Sequence, residues 1–529
     1  MHNKLFIVFN LKTEYSPVWR RKMAVNGTVK FRGEGLNNLV LTCSEDKKVY
    51  RLMKKNSFVL NIDGSTETER AKKINQILEN QVAYVQNVIK PQILSQFIAE
   101  HKIVTLPDGF AETVESAIAA DRPAFRTKIA TKSNQQTIDP ATRSALMLPD
   151  LCFVTDMETN RCLSDPARPT ISVEIKPKKG FMPAIGDLPE ESAIKYTVCK
   201  FCIHQRLKAK EGRWTKTSHY CPIDLYSGNR DRMKHALYAL CETPQNNLKI
   251  CVNGNEVYGK NAKGDLKIIL KEFFGGSTAN GCRKSLVLSE FLDLILDALL
   301  YVPLKANGTI CPNSPEYVPL KANGTVCPHS PECHCSCHHP KQTVLNGHHT
   351  PHRCSHSSYK SVDNENSSLP KYSILGQILA VQALDRLDIE SVYPLFLKVK
   401  DHLKDTEDRN EWNLYGPFTE EAWLKPCKEA VLKDDGSLKY AVDMVKRHNV
   451  SKTLQDCSLM VVLQRLEGSD EHKGPCLTDL HGRRYKFSVS VIDLDYKPFD
   501  KVQKWHELEL EMLKAYREKE AKQQTTCQQ

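Results

Sequence analysis

The stretch ISVEIKPKKGF, residues 171–181, decides how the middle of this chain is expected to fold. Its alternating β-branched residues predict a buried strand, with Glu174 and Lys176 on one face. Pro177 cannot donate to a β-ladder, so it ends the strand and lets the next two lysines leave the sheet. Taken alone, such lysines are typical of a solubilising cluster that blocks a sheet edge. Their meaning therefore depends on what else the sequence brings to this end of the strand.

More cationic and amide side chains follow this strand. In CKFCIHQRLK, His204 and Lys208 are four residues apart and share one face of a predicted helix. In DLYSGNRDRM, residues 224–233, a helix is predicted to begin at Asn229, where unpaired backbone amides favour anions. Arg232 in the first turn opposes the helix dipole, which indicates a bound anion unless solvent exposure tolerates the charge.

Three aspartates lie at the ends of two further predicted strands. Asp456 opens DCSLMVVLQRL, and Asp493 and Asp495 close YKFSVSVIDLDYKPF. In the second stretch apolar residues alternate with serines, which predicts a half-buried strand. Carboxylates beside a basic site are what phosphoryl transfer needs, one to orient and deprotonate the attacking hydroxyl and another to bind magnesium. A single aspartate of this kind is more commonly a turn cap.

Glycine-rich sequence near the beginning of the chain is similar to a phosphate-binding turn. In GEGLNNLV, Gly33 and Gly35 stand between predicted strands, permit positive φ and let backbone amides approach a phosphate. A cation on the next strand, Arg51 or Lys54, is placed to reach nucleotide phosphates, as the strand lysine of protein kinases does. A two-glycine hairpin is more often only a turn.

Composition limits the class of protein. With 529 residues, 40% of them hydrophobic and 26% charged, the chain is expected to form two or more soluble domains. No apolar run reaches membrane-spanning length, and the N-terminus lacks the features of a secretory signal. Nineteen cysteines, mostly scattered singly, favour a reducing compartment, so the cytosol and the nucleus are the expected locations. The net charge of +11 indicates anionic partners.

Strand and helix signals together predict an α+β chain. From Lys30 the sequence reads as three short strands, followed by an amphipathic helix that ends near Pro91. A tandem 16-residue repeat at 301–332 leads into a tract rich in His, Ser and Pro, and both are expected to be disordered. The tail from Lys504 is predicted to be a charged, exposed helix.

One set of cysteines has ligand types that suit a metal. Cys199 and Cys202 form a CxxC motif, and His219 and Cys221 follow, so a tetrahedral zinc site is one interpretation. The favoured alternative is that the thiols pack as small hydrophobic groups. The His- and Cys-rich tract at 333–356 could bind metal adventitiously.

Taken together, these motifs resemble the inositol-pentakisphosphate 2-kinase family. The resemblance extends from about Gly33 to Pro498 and is carried by GEG..NLV, RP..R, EIKPK, HQ.LK, CP.DLYSGN..RM, PQNNLKI, LD.LDIE..YPL, DCS.M and SVS..DLD.KP, in family order. The EXKPK signature consists of Glu174, Ile175, Lys176, Pro177 and Lys178. Each motif alone is unspecific, whereas the ordered set is highly specific.

The resemblance implies a two-lobed inositol phosphate kinase fold, with a small antiparallel-sheet N-lobe that binds ATP and a larger α/β C-lobe that binds the inositol phosphate. It implies transfer of the ATP γ-phosphate, with magnesium, to the 2-hydroxyl of inositol 1,3,4,5,6-pentakisphosphate, which yields inositol hexakisphosphate (phytate). A substrate with five phosphates needs many cations on fixed elements, as the lysines after the strand would provide. A monomer that requires neither nucleic acid nor a membrane is expected.

The resemblance also implies roles for individual residues. ATP would be contacted by Gly33, Glu34, Gly35, Asn38, Arg51, Glu174 and Arg232. The substrate would be held by Arg126, Lys176, Lys178, His204, Lys208, Asn229 and Lys497. Asp456 and Lys176 would be catalytic, with Asp456 acting on the 2-hydroxyl, and Asp493 would bind magnesium together with Asp456.

The corresponding divisions of the chain are an extension at 1–22, an ATP-binding N-lobe at 23–165, a first part of the C-lobe at 166–300, the insertion at 301–368, a second part with the catalytic aspartates at 369–510, and a charged tail at 511–529.

The sequence departs from the family at several points. Lys501 and Trp505 stand where some members place an arginine and a tyrosine on the substrate, so these two contacts are in doubt. Lys179 stands where relatives often have a small or thiol residue. The zinc of plant-type members is not carried over, because the aligned region is here the insertion.

Two rival classes fit the sequence less well. A zinc-assisted nucleic-acid binder would interleave basic residues with exposed aromatic ones, whereas aromatics are only 8% here and the basic residues cluster beside acidic ones. A kinase-fold scaffold without catalysis would not need both Asp456 and Asp493.

Overall fold

The computed structural model describes residues 29–35, 37–55, 65–122, 137–184, 186, 188–262, 264–275, 285–303, 368–406, 410–430, 433–468, 472 and 474–526. The predicted extension at 1–22, and all of the predicted insertion except 301–303 and 368, lie outside the described residues. Helices and antiparallel sheets are mixed along the described chain, which confirms the α+β class.

An antiparallel five-stranded sheet is built from the N-terminal part of the chain. Its strands are β1 (Val29–Glu34), β2 (Asn38–Cys43), β3 (Lys48–Met53), β4 (Lys102–Thr105) and β5 (Ser144–Pro149), in the spatial order β1-β2-β3-β5-β4. The three strands predicted from Lys30 are confirmed. Because successive side chains of a strand point to opposite faces, β2 buries Leu39, Leu41 and Cys43 completely on one face.

Helix α1 (Glu67–Tyr84) packs against this sheet. It begins with a capping box, in which the Thr66 hydroxyl accepts from Glu69 N and the Glu69 carboxylate accepts from Thr66 N. A π-helical turn, Val85–Ile89, continues the helix, which then ends just before Pro91 as predicted.

A six-stranded antiparallel sheet forms the centre of the rest of the molecule. Its strands are β8 (Thr170–Ile175), β9 (Leu248–Val252), β10 (Asn255–Tyr258), β11 (Ser458–Arg465), β12 (Cys476–Thr478) and β13 (Arg484–Ile492), in the order β10-β9-β8-β11-β13-β12. A separate two-stranded ribbon consists of β6 (Thr155–Asp156) and β7 (Arg161–Cys162). Strand β8 is central, so every residue except Glu174 is buried. It ends at Ile175, before Pro177, as predicted.

Further helices surround the two sheets, and several of them pack on one another. They are α2 (Phe110–Ile118), α3 (Lys200–Lys210), α4 (Pro222–Leu225), α5 (Arg230–Glu242), α6 (Leu266–Phe273), α7 (Ser285–Leu300), α8 (Ile374–Gln382), α9 (Asp388–Asp405), α10 (Lys425–Lys428), α11 (Leu438–Asp456) and α12 (Lys501–Thr526). Short 3-10 or π-helical segments lie at Ser95–Phe97, Glu190–Tyr196 and Glu420–Leu424. None of the described helices combines the length and the apolar content needed to cross a bilayer.

Strand β13 is more buried than its alternating serines predicted. Val489 and Val491 face the main core, but Ser490 on the opposite face is also only 1% exposed. The reason is that Met460 and Val462, which lie beside the serines on β11, belong to a second hydrophobic cluster that covers this face. The expectation of a half-buried strand was therefore wrong at this position.

The C-terminal helix α12 is packed and is not the exposed helix that the sequence from Lys504 predicted. Met512 and Leu513 are buried against α3, and Glu509 is buried as well. The predicted boundary at residue 511 falls inside this continuous helix. Charged residues dominate the sequence of the helix, so its short apolar stripe gives only a weak periodic signal.

Leu513→Ala should lower the free energy of unfolding by about 2–4 kcal/mol, because it removes buried methyl groups where α12 packs on α3. Leu510→Ala is the matched control, since Leu510 lies on the same helix but is 53% exposed. The control should cost less than about 0.5 kcal/mol. Urea unfolding of both variants measures the difference, and equal effects would show that the helix does not pack as described.

Candidate active site

The segment that follows β8 is held in place from several sides. Lys176 N donates to Asn247 O (2.9 Å), and the Tyr220 hydroxyl donates to Pro177 O (2.7 Å). Lys178 has a φ of +64°, a left-handed conformation that is unfavourable for a residue with a Cβ. Such a conformation persists only where the surrounding structure holds it.

The side-chain amide of Gln382 holds this conformation. Its Nε2 donates to Lys178 O (2.8 Å), and Gly180 N donates to its Oε1 (2.9 Å). The same Nε2 donates to Leu454 O (2.9 Å) in the last turn of α11. Gln382 is fully buried. One side chain therefore ties the lysine segment to the helix that ends at Asp456.

Three neighbouring strands bring the predicted catalytic side chains to one edge of the six-stranded sheet. Strand β8 pairs with β11, and β11 pairs with β13, both in antiparallel register. The carboxyl ends of β8 and β13 therefore meet the amino end of β11. Lys176 directly follows β8, and Asp493 directly follows β13. Asp456 lies two residues before the beginning of β11.

Lysines and aspartates alternate at this edge. Lys176 Nζ lies 3.3 Å from Asp493 Oδ2. Lys178 Nζ lies 3.5 Å from Asp456 Oδ1, and Lys497 Nζ lies 3.3 Å from Asp456 Oδ2. Asp456 is thus placed between two ammonium groups. The structure brings together three lysines that the sequence assigned to the substrate and the two aspartates that it assigned to magnesium.

The local charges keep Asp456 ionised. The Asp456 side chain is exposed, yet the surrounding protein removes part of its hydration and opposes ionisation. Attraction by Lys497, Lys178 and Lys176 outweighs this desolvation and lowers the pKa of the carboxyl group to about 2. Burial lowers the pKa of Lys176, but attraction by Asp493 and other carboxylates outweighs it and raises that pKa. For Lys178 burial outweighs the attraction of Asp456, and the pKa is lowered. The carboxylates near Lys178 therefore do not fully compensate the desolvation of its ammonium group.

Two side chains of α3 extend this positively charged region. Burial, then repulsion by Lys178 and Arg213, lowers the pKa of Lys208 to about 8. Burial, then repulsion by Lys208 and Lys200, lowers the pKa of His204 to about 3, so its imidazole is neutral at physiological pH. Cations that depress one another's pKa would each be stabilised by a bound anion.

The glycine-rich turn is open above its backbone but is not left-handed. Gly33 and Gly35 do not have the positive φ that the sequence suggested. A Cβ on either residue would meet nothing closer than 4.0 Å, so there is space for a ligand to approach the backbone. Gly35 N donates to Asn38 O (2.9 Å), which closes the turn at the beginning of β2.

Below this turn, ion pairs occupy several of the predicted nucleotide contacts. The Glu34 carboxylate is 1% exposed and accepts from Lys54 (2.6 Å) and Arg122 (2.8 Å). Glu34 can therefore contact ATP only through its backbone. Lys54 is also 1% exposed, so only Arg51 remains of the two cations predicted to reach phosphates. Arg51 Nη2 lies 2.7 Å from Asp495 Oδ2 and links the first sheet to the segment after β13.

The predicted helix start at Asn229 is confirmed. Its side-chain oxygen accepts two backbone N–H groups of the first turn of α5 (3.1 Å each). Arg232 pairs with Asp224 (2.7 Å), so the argument that its charge requires a bound anion does not hold. Glu174, another predicted ATP contact, accepts from Lys249 on β9 (2.5 Å).

Three residues that the sequence singled out are still to be placed, namely Arg126, Lys501 and Trp505. Arg126 lies outside the described residues. Burial and repulsion by Lys497 lower the pKa of Lys501, which places this lysine in the same positively charged region. Trp505 packs into a hydrophobic cluster, with its ring centroid 5.6 Å from that of His448.

Comparison with known proteins connects this geometry to a family. The profile described as inositol-pentakisphosphate 2-kinase matches residues 31–511. The chain is 31% identical to the inositol-pentakisphosphate 2-kinase of Danio rerio over 92% of each chain. It is 24% identical to that of Arabidopsis thaliana over 94% of this chain and 95% of the relative. The chain belongs to the inositol-pentakisphosphate 2-kinase family. It is accordingly an inositol phosphate kinase.

Sequence reasoning missed the residues that position the charged edge of this kinase. Gln382 is the last residue of an apolar helix, ILGQILAVQ, and an amide at the end of such a helix is the one signal that could have marked it. Lys179, whose role was open, is buried and lies 3.0 Å from Asp388. Asp388 also lies 3.0 Å from Lys195. Local patterns do not reveal these partners, because Lys179 and Asp388 are 209 residues apart.

Gln382→Met should raise the KM for the inositol phosphate by about tenfold, equivalent to about 1.4 kcal/mol, because Gly180 N and Lys178 O lose their shared partner. The lysine segment would then relax away from its left-handed conformation. Steady-state kinetics measures the KM, and a thermal melt measures the accompanying loss of stability.

Gln377→Met is the matched control for a lost buried amide on the same helix. Its side chain accepts from Leu94 N (2.7 Å) and donates to Tyr372 O (2.8 Å), not to the lysine segment. The control should lower the melting temperature comparably and leave the KM unchanged. A similar rise of KM in both variants would show that Gln382→Met acts through a general loss of stability and not through the lysine segment.

Proposed function

We propose that this kinase transfers the γ-phosphate of ATP to the 2-hydroxyl group of inositol 1,3,4,5,6-pentakisphosphate and forms inositol hexakisphosphate. The observation that carries the proposal is the sheet edge at which Lys176, Lys178 and Lys497 surround Asp456 and Asp493. Phosphoryl transfer to a polyanion needs one carboxylate for the attacking hydroxyl, another for magnesium, and several fixed cations.

The charge of the substrate accounts for the number of converging cations. A phosphate monoester carries a charge of about −1.5 to −2 near neutral pH, so five of them carry about −8 to −10. We assign substrate binding to Arg126, Lys176, Lys178, His204, Lys208, Asn229 and Lys497. A phosphate near Lys178 and Lys208 would raise the pKa values that burial lowers, so these two lysines gain most from the ligand.

ATP is proposed to bind between the two sheets of a two-lobed kinase, with the five-stranded sheet in the N-lobe. The open backbone at Gly33 and Gly35 supports contact with its phosphates. Arg51 supports the same location, because its partner Asp495 belongs to the segment after β13. Glu34, Asn38, Glu174 and Arg232 stay as further predicted contacts.

Asp493 and Asp456 fit a magnesium ion by the chemistry of their donors. Carboxylate oxygens are the ligands that this ion prefers, and these two side chains are 48% and 63% exposed. Ser458 Oγ donates to Asp493 Oδ2 (3.2 Å), which orients that carboxylate. When bound, the ion would neutralise charge on the ATP phosphates.

Asp456 would orient the 2-hydroxyl group and take its proton. With its present lysine partners, the pKa of about 2 makes this carboxylate a weak base near neutral pH. Substrate phosphates that pair with Lys178 and Lys497 would compete with Asp456 for these cations and raise its pKa. Lys176 is placed to stabilise negative charge on the transferred phosphoryl group.

Asp456→Asn should reduce turnover by about 10²- to 10⁴-fold, because the carboxylate that accepts the proton is lost. Binding of ATP should change little. The measurement is incubation with magnesium, ATP and a panel of inositol phosphates, followed by anion-exchange separation of the products. Wild-type protein should convert the 1,3,4,5,6-pentakisphosphate to hexakisphosphate.

Asp401→Asn is the matched control for this substitution. Asp401 is also exposed, at 68%, and pairs with Lys404 on α9. The control should keep wild-type turnover. Unchanged turnover in Asp456→Asn would remove this carboxylate from the mechanism, and a different wild-type product would refute the proposed reaction.

The KM for the pentakisphosphate should rise by about tenfold between pH 7 and pH 9. This is the change expected when binding requires one group with a pKa near 8 to be protonated. Lys208, whose pKa is about 8, is positive below that pH and neutral above it. A polyanion binds the positive form more tightly, so affinity falls as pH rises. Lys208→Arg keeps its charge over this range and should give a flat profile. Parallel profiles for the two proteins would exclude Lys208 as the titrating group.

A further inference from the structure

Strand β1 carries a bulge at Arg32, immediately before the glycine-rich turn. Phe31 pairs with Leu41 on β2, whereas Gly33 pairs with Val40, so Arg32 is an extra residue in the ladder. Bulges are frequent beside active sites, where they change the direction of a side chain. The side chain of Arg32 accordingly makes its contacts outside the β1–β2 ladder.

Two partners from distant parts of the chain bind the Arg32 guanidinium. Its Nη1 donates to Gly254 O in the turn between β9 and β10. Its Nη2 lies 2.8 Å from Asp150 Oδ1, on the segment directly after β5. The Arg32 side chain is 19% exposed and that of Asp150 is 5% exposed. One largely buried side chain thus connects the strand before the glycine-rich turn to the six-stranded sheet.

Both partners of Arg32 are themselves held in place. The Asp150 carboxylate also accepts from Thr42 Oγ1 on β2 (2.9 Å). Asn253 and Gly254 form a two-residue hairpin turn, with φ of +48° and +79°. The side-chain oxygen of Asn253 accepts from Thr170 N at the beginning of β8 (2.9 Å). The contact with Gly254 therefore fixes Arg32 to a tight turn that is bound to the central strand of the sheet.

The place of β1 in the five-stranded sheet makes this contact important. Strand β1 is at the edge of the sheet, and among the described strands it pairs with β2 alone. The ion pair of Arg51 with Asp495 connects the two sheets through β3, two strands away from the glycine-rich turn. Arg32 connects them at the turn itself.

We propose that Arg32 is a positioning residue for nucleotide binding. It fixes the glycine-rich turn, Gly33 to Gly35, at one distance from the six-stranded sheet, so that the backbone of the turn is already in place when the ATP phosphates bind. Without Arg32, binding would have to order the turn, and the lost conformational freedom would weaken the affinity for ATP. This inference rests on the proposed location of ATP between the two sheets.

Arg32→Met should raise the KM for ATP by about tenfold, as the loss of one hydrogen bond between charged groups predicts. The KM for the inositol phosphate and the turnover at saturating ATP should not change. Arg32→Lys keeps the charge but can bind only one of the two partners at a time, so it should raise the KM for ATP by only about threefold. Steady-state kinetics with each substrate varied in turn measures these values.

Arg70→Met is the matched control for the loss of a bridging arginine. Arg70 is 24% exposed and also donates to a carboxylate and a carbonyl, those of Asp139 (3.4 Å) and Ser65 (3.0 Å). Neither partner belongs to the six-stranded sheet. The control should lower the melting temperature comparably and leave the KM for ATP unchanged. An equal KM for ATP in the two methionine variants, or a rise of both KM values in Arg32→Met, would overturn the proposal.

A second pair of variants approaches the same contact from the six-stranded sheet, in case Arg32→Met does not fold. A Cβ at Gly254 would lie 3.1 Å from Arg32 Nη1, so Gly254→Ala should displace the guanidinium. Gly482→Ala is the matched control, because Gly482 has a similar φ of +77° in another turn of this sheet and a Cβ there would meet nothing within 4 Å. Both variants carry the same backbone strain, whereas only the first disturbs Arg32.

Hydrogen exchange of the backbone amides at 33–41, measured without nucleotide, compares these two variants. Exchange should be about tenfold faster in Gly254→Ala than in wild-type protein, because the turn is no longer held against the six-stranded sheet. Gly482→Ala should exchange at the wild-type rate. This measurement needs neither ATP nor an inositol phosphate, so it tests the role of Arg32 separately from the proposed reaction. Equal exchange in the two variants would contradict the positioning role.

Discussion

Like charges fixed side by side at one sheet edge are the constraint on which the rest of this structure depends. In a flexible loop Lys176, Lys178 and Lys497 would move apart, because nothing would offset their repulsion. Here the pairing of β8, β11 and β13 and the hydrogen bonds of Gln382 hold them in place. Asp456 and Asp493 neutralise part of the charge, and the remainder is available to a polyanion. The unfavourable backbone conformation of Lys178 lies where that ligand is proposed to bind.

A buried ionic network supports this edge from behind. Lys179 and Lys195 both pair with Asp388, while Lys195 and Lys200 both pair with Glu509. Removing such charges from water has a large unfavourable free energy that their attraction offsets only in part, so a network of this kind is weak evidence for stability. Its consequence here is geometric. Asp388 begins α9 and Glu509 belongs to α12, so the network orients both helices against the segment that carries the lysines.

The two sheets are joined by side chains of β3 and α1. Arg51 on β3 pairs with Asp495, which is the third residue after β13 and lies two residues beyond Asp493. The Tyr84 hydroxyl, at the end of α1, lies 2.9 Å from the Thr453 hydroxyl of α11. The helix that ends at Asp456 is therefore braced both by Gln382 and by α1. A nucleotide bound between the sheets would contact elements that are already connected to the catalytic edge.

The sequence by itself determined the local elements and the family. Alternation, proline and capping act over a few residues, and they were enough to predict the three strands from Lys30, the end of β8 before Pro177 and the helix start at Asn229. Ordered motifs predicted the family, and the resemblance to that family, together with the predicted strand ends, indicated which lysines and aspartates belong to the site. Only the tertiary structure decided which partners these residues have: Gln382 for the lysine segment, Asp388 for Lys179, Glu34 for Lys54, and α3 for the C-terminal helix. The physical reason is that periodicity shows which face of an element is apolar, whereas the surface that covers this face comes from a distant part of the chain.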